Sequence, residues 1–189
     1  MNDIMKHKFE QISARLSELT DWIGRTVSWL VVGMVVVTFF VVVMRYLFDS
    51  GWVALQESIS YMHSLVFLLG AAYTLKFDEH VRVDIIYTRL GKKGKAWIDL
   101  VGHIVMLIPV MAFIIWISYP YVESAWEIKE SSKEAGGLPG VFLLKSLIII
   151  MAGLLIVQAI ALILKSLLCI ISPPRPKNSS QSNNSGATA

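Results

Sequence analysis

The stretch KFDEHVRVDIIYTRLGKKGKAWID, from Lys76 to Asp99, decides the fold because it separates two pairs of long apolar segments. It holds the densest group of basic residues in the chain: Lys76, Arg82, Arg89, Lys92, Lys93 and Lys95. Short loops rich in Lys and Arg beside membrane spans are retained in the cytoplasm. The stretch therefore predicts two membrane spans before it and two after it, with this central loop on the inner side.

Four apolar blocks indicate the fold class. Hydrophobic residues make up 55% of the chain, and the mean hydropathy is +0.61, both high for a soluble domain. The blocks run roughly from Val27 to Phe48, Leu55 to Leu75, Ile98 to Tyr121 and Val141 to Ile171. Each has at least the ~20 residues that a helix needs to cross ~30 Å of hydrocarbon. We expect an all-α integral membrane protein with a four-helix transmembrane domain at residues 27–171.

The two ends of the chain differ from this apolar core. In residues 1–26, apolar residues alternate at spacings of four and three: Met5, Phe9, Ile12, Leu16, Leu19 and Ile23. This spacing predicts an amphipathic helix on the inner membrane surface, or one that docks along a partner. Residues 172–189 are rich in Pro, Ser and Asn, which predicts a disordered tail. Thirteen of the 17 basic residues fall on the predicted inner side, so both termini are expected in the cytoplasm.

Cysteine count and charge narrow the function classes. Cys169 is the single cysteine, so the chain has neither an intrachain disulfide nor a cysteine metal cluster. The net charge of +3 does not point to nucleic acid, because the basic residues lie at membrane edges. Membrane phospholipid headgroups are the expected partner of these residues.

The central loop predicts a contact with the inner membrane surface. Asp84 is expected to cap a short interfacial helix from Ile85 to Leu90, with Arg82 and Arg89 at the level of the lipid phosphates. His80, Arg82 and Asp84 resemble an acid/base or metal set only superficially, because loop histidines and carboxylates are usually solvated. No catalytic or metal site is predicted, and we do not expect an enzyme.

The second span has one polar side. At ~100° per residue, its small and polar residues share one sector: Gln56, Glu57, Ser60, His63, Ser64, Gly70, Ala71 and Thr74. Small and polar residues let helices approach closely and hydrogen-bond across a membrane contact. The pattern predicts packing against another helix, and the lining of a solute path is the alternative.

The predicted outer side carries charges and a glycine-rich turn. Arg45 and Asp49 are four residues apart and would pair on one helix face. The loop from Glu123 to Gly140 is acidic and ends in Gly-Gly-Leu-Pro-Gly, which is typical of a turn. In the third span, Pro109 predicts a kink, because proline removes a backbone hydrogen bond.

Several short motifs occur in order along the chain. They are RYLF at Arg45–Phe48, LLGAAYTL at Leu68–Leu75, HVRVD at His80–Asp84, ESS at Glu130–Ser132, and a GGLP that ends at Pro139. Together they resemble the small, DctQ-like membrane subunit (Q subunit) of tripartite ATP-independent periplasmic (TRAP) transporters. The resemblance implies a bacterial inner-membrane protein that assists uptake of an organic acid. A periplasmic receptor would deliver the acid to a large membrane subunit that uses a sodium or proton gradient, and this chain would need no cofactor.

The resemblance and the polar side of the second span together imply three surfaces. The large subunit is expected to contact Gln56, Glu57, Ser60, His63, Ser64 and Ala71. The inner membrane surface is expected to contact His80, Arg82, Asp84 and Arg89. The receptor side is expected to include Arg45, Glu127, Glu130, Gly137, Leu138 and Pro139.

Two other functions are weighed against this one. Four-helix anchors of oxidoreductases can hold haem between histidines, and His63 and His103 lie in adjacent predicted spans. Their predicted depths differ by roughly 10 Å at ~1.5 Å per residue, which disfavours a shared iron. A self-sufficient homodimeric transporter is the second alternative, and the missing internal repeat counts against it.

Overall fold

The structure is a computed structural model that describes residues 3–77 and 90–171, and all regular structure in this part of the chain is helical. The helices are α1 (Asp3–Leu47), α2 (Val53–Lys76), α3 (Lys92–Val101), α4 (Ile108–Glu127) and α5 (Val141–Ile171), with a π-helical segment, Gly102–Leu107, between α3 and α4.

Within the described residues, four helical stretches are long and apolar enough to cross a membrane. They are His7–Leu47, Val53–Lys76, Lys93–Glu127 and Val141–Ile171. The expected all-α fold with four spans is confirmed at this level. The predicted loop helix at residues 85–90 and the tail at 172–189 lie outside the described residues, apart from Leu90. The same holds for His80, Arg82, Asp84 and Arg89.

The central helix of the bundle is α5, which packs against α1, α2, α3 and α4. Its buried residues are Leu147, Ala152, Leu155, Gln158, Ala159, Ala161 and Ser166. Most of them are small. Lipid tails are as apolar as leucine, so helices in a membrane associate through close van der Waals packing and hydrogen bonds. The small residues of α5 allow this close approach on several sides at once.

The first helix is longer than the sequence predicts. α1 continues without a break across residue 26, where we expected a surface helix to give way to the first span. Two residues of the predicted apolar stripe, Ile12 and Leu19, are each 47% exposed, and the contact of this stripe with the membrane surface or a partner stays a prediction. Thr20 and Gly24 are buried instead. Small residues therefore form the contact of this segment with the bundle.

Polar contacts fasten α1 to its neighbours near the end of α2. The Thr20 hydroxyl donates to Oε1 of Gln158 at 2.6 Å, and both side chains are fully buried. Nζ of Lys76 lies 3.1 Å from Oδ1 of Asp21, which makes the two side chains an ion pair. Their geometry is not that of a hydrogen bond. These contacts join α1 to α5 and to α2, respectively.

The predicted pair between Arg45 and Asp49 is wrong. α1 ends at Leu47, and Asp49 has a left-handed φ of 50°, so its side chain is not one helical turn from Arg45. Among the ion pairs of the described residues, neither Arg45 nor Asp49 takes part. Aspartate tolerates this backbone conformation better than most residues, which explains its position after the helix end.

The disturbance predicted at Pro109 takes the form of the π-helical segment just before it. The backbone N–H of Ile108 donates to the carbonyl of His103, five residues earlier. Proline has no N–H, and its ring crowds the carbonyl one turn before it. A wider turn relieves this crowding, as π-bulges do in other helices.

We predict that Gly24→Ala destabilises the contact between α1 and α2. A Cβ at residue 24 would lie 2.6 Å from the Cβ of Tyr73, an atom that side-chain rotation cannot move away. Overpacking of this kind costs about 1–3 kcal/mol. The thermal unfolding midpoint of the purified chain in detergent should therefore fall.

Gly33→Ala is the matched control in the same helix, because its Cβ would meet only Sδ of Met62, at 3.5 Å. Both substitutions gain the same helix propensity, about 1 kcal/mol. A Gly24→Ala variant at least as stable as Gly33→Ala would contradict the close contact of α1 and α2.

Candidate functional site: the outer loop and the polar stripe of α2

The loop at residues 128–140 joins α4 to α5, and we name it the outer loop after its predicted side. It contains a turn in which the N–H of Gly137 donates to the carbonyl of Glu134 at 3.0 Å. Gly136, the third residue of this turn, has a φ of +80°. Residues that have a side chain rarely adopt such a backbone φ, so glycine suits this position.

The carboxylate of Glu57, near the start of α2, holds the outer loop. Oε2 accepts a hydrogen bond from the N–H of Leu138 at 2.6 Å, and Oε1 accepts one from the hydroxyl of Ser132. The loop passes so close to these groups that residue 137 has no room for a side chain: a Cβ there would lie 2.8 Å from Oε1 of Glu57 and closer still to Ser132. Hydrogen bonds to an ionised carboxylate are stronger than those between neutral groups. Through Glu57, α2 therefore holds in place the loop that connects α4 to α5.

A second set of contacts fixes the other side of the outer loop. Nζ of Lys145 lies 2.5 Å from Oε2 of Glu130 and 3.9 Å from the centroid of the Tyr121 ring. The indole N–H of Trp126 donates to Oγ of Ser146 at 2.8 Å. A cation over an aromatic ring adds electrostatic attraction to the ion pair. The start of α5 is therefore fastened both to the loop and to the end of α4.

The residues predicted for the receptor side fall into two groups. Arg45, Glu127 and Pro139 are exposed. Glu130, Gly137 and Leu138 are half-buried, and their polar groups make contacts within the chain. The receptor-side role of all six stays a prediction.

The residues predicted to face the large subunit are also divided. Gln56, Ser60 and His63 are exposed along one side of α2, and we name these three residues the polar stripe. Ser64 is half-buried, and its hydroxyl donates to the carbonyl of Ser60 at 2.8 Å. Ala71 is half-buried as well. Glu57 differs from the others because its carboxylate is occupied by the outer loop.

Sequence reasoning missed several members of these contacts. Ser132 belongs to the ESS motif quoted above, but its hydrogen bond to Glu57 was not foreseen. The hydrogen bond between Trp126 and Ser146 was not foreseen either. Gln158 was also missed. It is the only amide side chain in α5, and a polar group in so apolar a span usually marks a contact within protein.

The two histidines of the haem alternative lie on helices that are not principal neighbours. His63 is exposed on α2 and stacks on Phe67, with ring centroids 6.2 Å apart. His103 lies in the π-helical segment, where Nδ1 hydrogen-bonds the carbonyl of Asp99. α2 packs chiefly against α1 and α5, whereas the π-helical segment packs against α3, α4 and α5. Within residues 3–77 and 90–171, no group of three or more His, Cys, Asp or Glu could hold a metal ion.

A match to a family sequence model distinguishes the transporter subunit from the haem anchor and the self-sufficient transporter. The model described as "Tripartite ATP-independent periplasmic transporters, DctQ component" matches residues 34–169, well over half of the chain. The chain belongs to the DctQ family. The match includes all of α2, the outer loop and nearly all of α5, so both sets of contacts described above lie within it. A comparison with curated proteins and one with solved structures find no match.

Membership in the DctQ family confirms the resemblance noted from the motifs. It makes the chain a component of a tripartite transporter. The DctQ family is a family of transporter components and is not known for enzymatic activity. Together with the four apolar helices, it identifies a multi-pass membrane protein.

We predict that Glu57→Ala loosens the outer loop. The substitution removes the acceptor for the N–H of Leu138 and for the hydroxyl of Ser132. Hydrogen–deuterium exchange at the amide of Leu138 should then be faster, on the order of tenfold, because the amide opens more often.

Glu127→Ala is the control for this experiment, because it removes an exposed carboxylate close to the same loop. Exchange at Leu138 should not change in that variant. Equal exchange rates in Glu57→Ala and the unaltered chain would show that Glu57 does not hold the loop.

Proposed function

We propose that this chain braces the large membrane subunit of a TRAP transporter. In this proposal the large subunit carries an organic acid inward with a sodium or proton gradient, after a periplasmic receptor has delivered it. The chain lies in the bacterial inner membrane with both termini in the cytoplasm, and it holds no cofactor. Membership in the DctQ family supports the partnership.

The polar stripe is the observation that supports the docking surface. Ser60 and His63 are exposed within an apolar span, whereas exposed residues of α1 include Trp29 and Phe39, 75% and 70% exposed. Polar side chains within a span usually face protein or water, because hydrocarbon offers them no hydrogen bonds. A second membrane protein that covers the stripe satisfies this requirement.

A groove between α1 and α2 extends this surface. It has a volume of about 530 Å³, and Phe67, Gly70 and Ala71 of α2 line it together with Ser28 of α1. A Cβ at Gly70 would meet nothing within 4 Å, so the groove is open there. Phe67 lies one turn beyond His63, which makes the polar stripe and the groove one continuous surface. Small residues in a membrane groove favour the close approach of another helix.

Contacts at both ends of α2 support a bracing role. Glu57 binds the outer loop, and Lys76 lies beside Asp21 of α1. The two residues are about 28 Å apart along the helix at ~1.5 Å per residue, close to the ~30 Å hydrocarbon thickness. A helix that is fastened at both membrane surfaces presents a fixed wall to its partner.

We predict that Ser60→Leu weakens assembly with the large subunit. The leucine side chain adds bulk to the polar stripe and removes a hydroxyl. Contacts of this kind between membrane helices are worth about 1–2 kcal/mol. The amount of large subunit that co-purifies with the tagged chain in mild detergent should fall about fivefold or more.

Ala112→Leu is the matched control, because residue 112 is an exposed small residue on α4, a helix that does not pack substantially against α2. It should leave co-purification unchanged. Equal retention of the large subunit by Ser60→Leu and Ala112→Leu would contradict docking along the polar stripe.

A further inference from the structure

His63 is the residue of the polar stripe that lies deepest in the apolar part of α2. At ~1.5 Å per residue it is about 15 Å from the start of the helix at Val53 and about 20 Å from its end at Lys76. An imidazole ring is too short to reach the membrane surface from this depth. Because the residue is exposed on the bundle, its ring meets whatever surrounds the protein there.

Other polar side chains in these spans are satisfied within their own helices. Three hydroxyls of α2 donate to a backbone carbonyl three or four residues earlier: those of Ser58, Ser64 and Thr74. The exposed Thr38 of α1 donates to the carbonyl of Met34 in the same way, at 2.7 Å. Nδ1 of His103 also hydrogen-bonds a backbone carbonyl four residues earlier. Such groups can lie in hydrocarbon without a partner from outside the chain.

The ring of His63 has no such partner. Within residues 3–77 and 90–171 neither of its nitrogens makes a hydrogen bond, and the ring stacks on Phe67. Stacking uses the faces of the ring, whereas the nitrogens lie on its edge. An imidazole has an N–H donor and an acceptor nitrogen, and hydrocarbon satisfies neither. The ring therefore indicates a polar partner that the described part of the chain does not provide.

The charges of the bundle indicate what kind of partner this is. The helices α1, α2 and α5 pack together, and their middle parts have no Asp, Glu, Lys or Arg: none occurs between Arg25 and Arg45, between Glu57 and Lys76, or between Lys145 and Lys165. Charged groups are costly at this depth, whereas hydroxyl and carboxamide side chains hydrogen-bond across membrane helices. An uncharged polar side chain therefore suits His63 better than a carboxylate.

We propose that His63 anchors the subunit contact by a hydrogen bond to an uncharged polar side chain, a hydroxyl or a carboxamide, in an apolar span of the large subunit. This inference rests on the proposed function, and it names the chemical group that the polar stripe meets. Phe67, which stacks on His63, also lines the groove beside the stripe, so one partner helix covers both. A large subunit with only apolar side chains at this depth would leave the ring unpaired, which makes the contact selective.

The test measures how much large subunit co-purifies with the tagged full chain in mild detergent. His63→Leu removes both ring nitrogens and should reduce this amount about fivefold. His63→Gln keeps a donor and an acceptor on an uncharged side chain, so it should retain most of the large subunit. Thr38→Val is the control, because it removes an exposed polar group that is already satisfied by Met34, and it should change nothing.

A photo-crosslinker beside His63 identifies the partner group. Phe67→p-benzoylphenylalanine leaves His63 intact and places the reactive group one turn further along α2. It should crosslink to an apolar span of the large subunit that has Ser, Thr, Tyr, Asn or Gln within about one turn of the crosslinked residue. Crosslinks only to a second copy of this chain, or to a span without such a residue, would overturn the inference.

The outcomes separate this inference from the proposed function. Equal retention of the large subunit by His63→Leu and Thr38→Val would overturn the role of His63 and leave the bracing role in place. Equal loss in His63→Leu and His63→Gln would also overturn it, because an uncharged hydrogen-bonding side chain would then not suffice. Failure of the large subunit to co-purify with the unaltered chain would contradict the proposed function itself.

Discussion

Close packing and polar contacts between side chains hold these helices together in lipid, because hydrocarbon removes the hydrophobic gain from helix association. The whole bundle depends on this constraint. Its central helix, α5, therefore buries small residues such as Ala152 and Ala159, which are both 0% exposed. Polar contacts are concentrated at the two ends, with Glu57 bound to Leu138 at one end and Thr20 bound to Gln158 at the other.

This arrangement separates the parts of the chain that are fixed from those that are available to partners. The outer loop is tied to α2 by Glu57 and to α5 by the contact of Glu130 with Lys145. The polar stripe and the adjoining groove are left without contacts of comparable strength. The proposed bracing role needs such a division, because the helices of this chain must hold their positions while one surface stays open for docking.

The number of spans and the fold class could be predicted from the sequence, because apolar blocks of sufficient length have few alternatives in a membrane. The packed side of α1 could not. The spacing of Ile12 and Leu19 marks an apolar stripe, but a bundle in lipid selects small residues for its contacts and leaves these two side chains exposed.

Long-range polar contacts were also beyond sequence reasoning. Glu57 was assigned to a docking surface from its helical position, yet its hydrogen-bond partners Ser132 and Leu138 lie 75 and 81 residues away. Helical periodicity shows which residues share a side, and it does not show which distant loop covers that side. The motifs that contain Ser132 and Leu138 marked the right segments, but their contact with α2 required the fold.

The most direct test of the central claim is affinity purification of the tagged chain, expressed at native level in its own membranes, followed by quantitative mass spectrometry. The account predicts a large, many-spanning membrane protein in about equal amount with the chain. Recovery of the chain as a lone dimer, or together with redox subunits and bound haem, would contradict it.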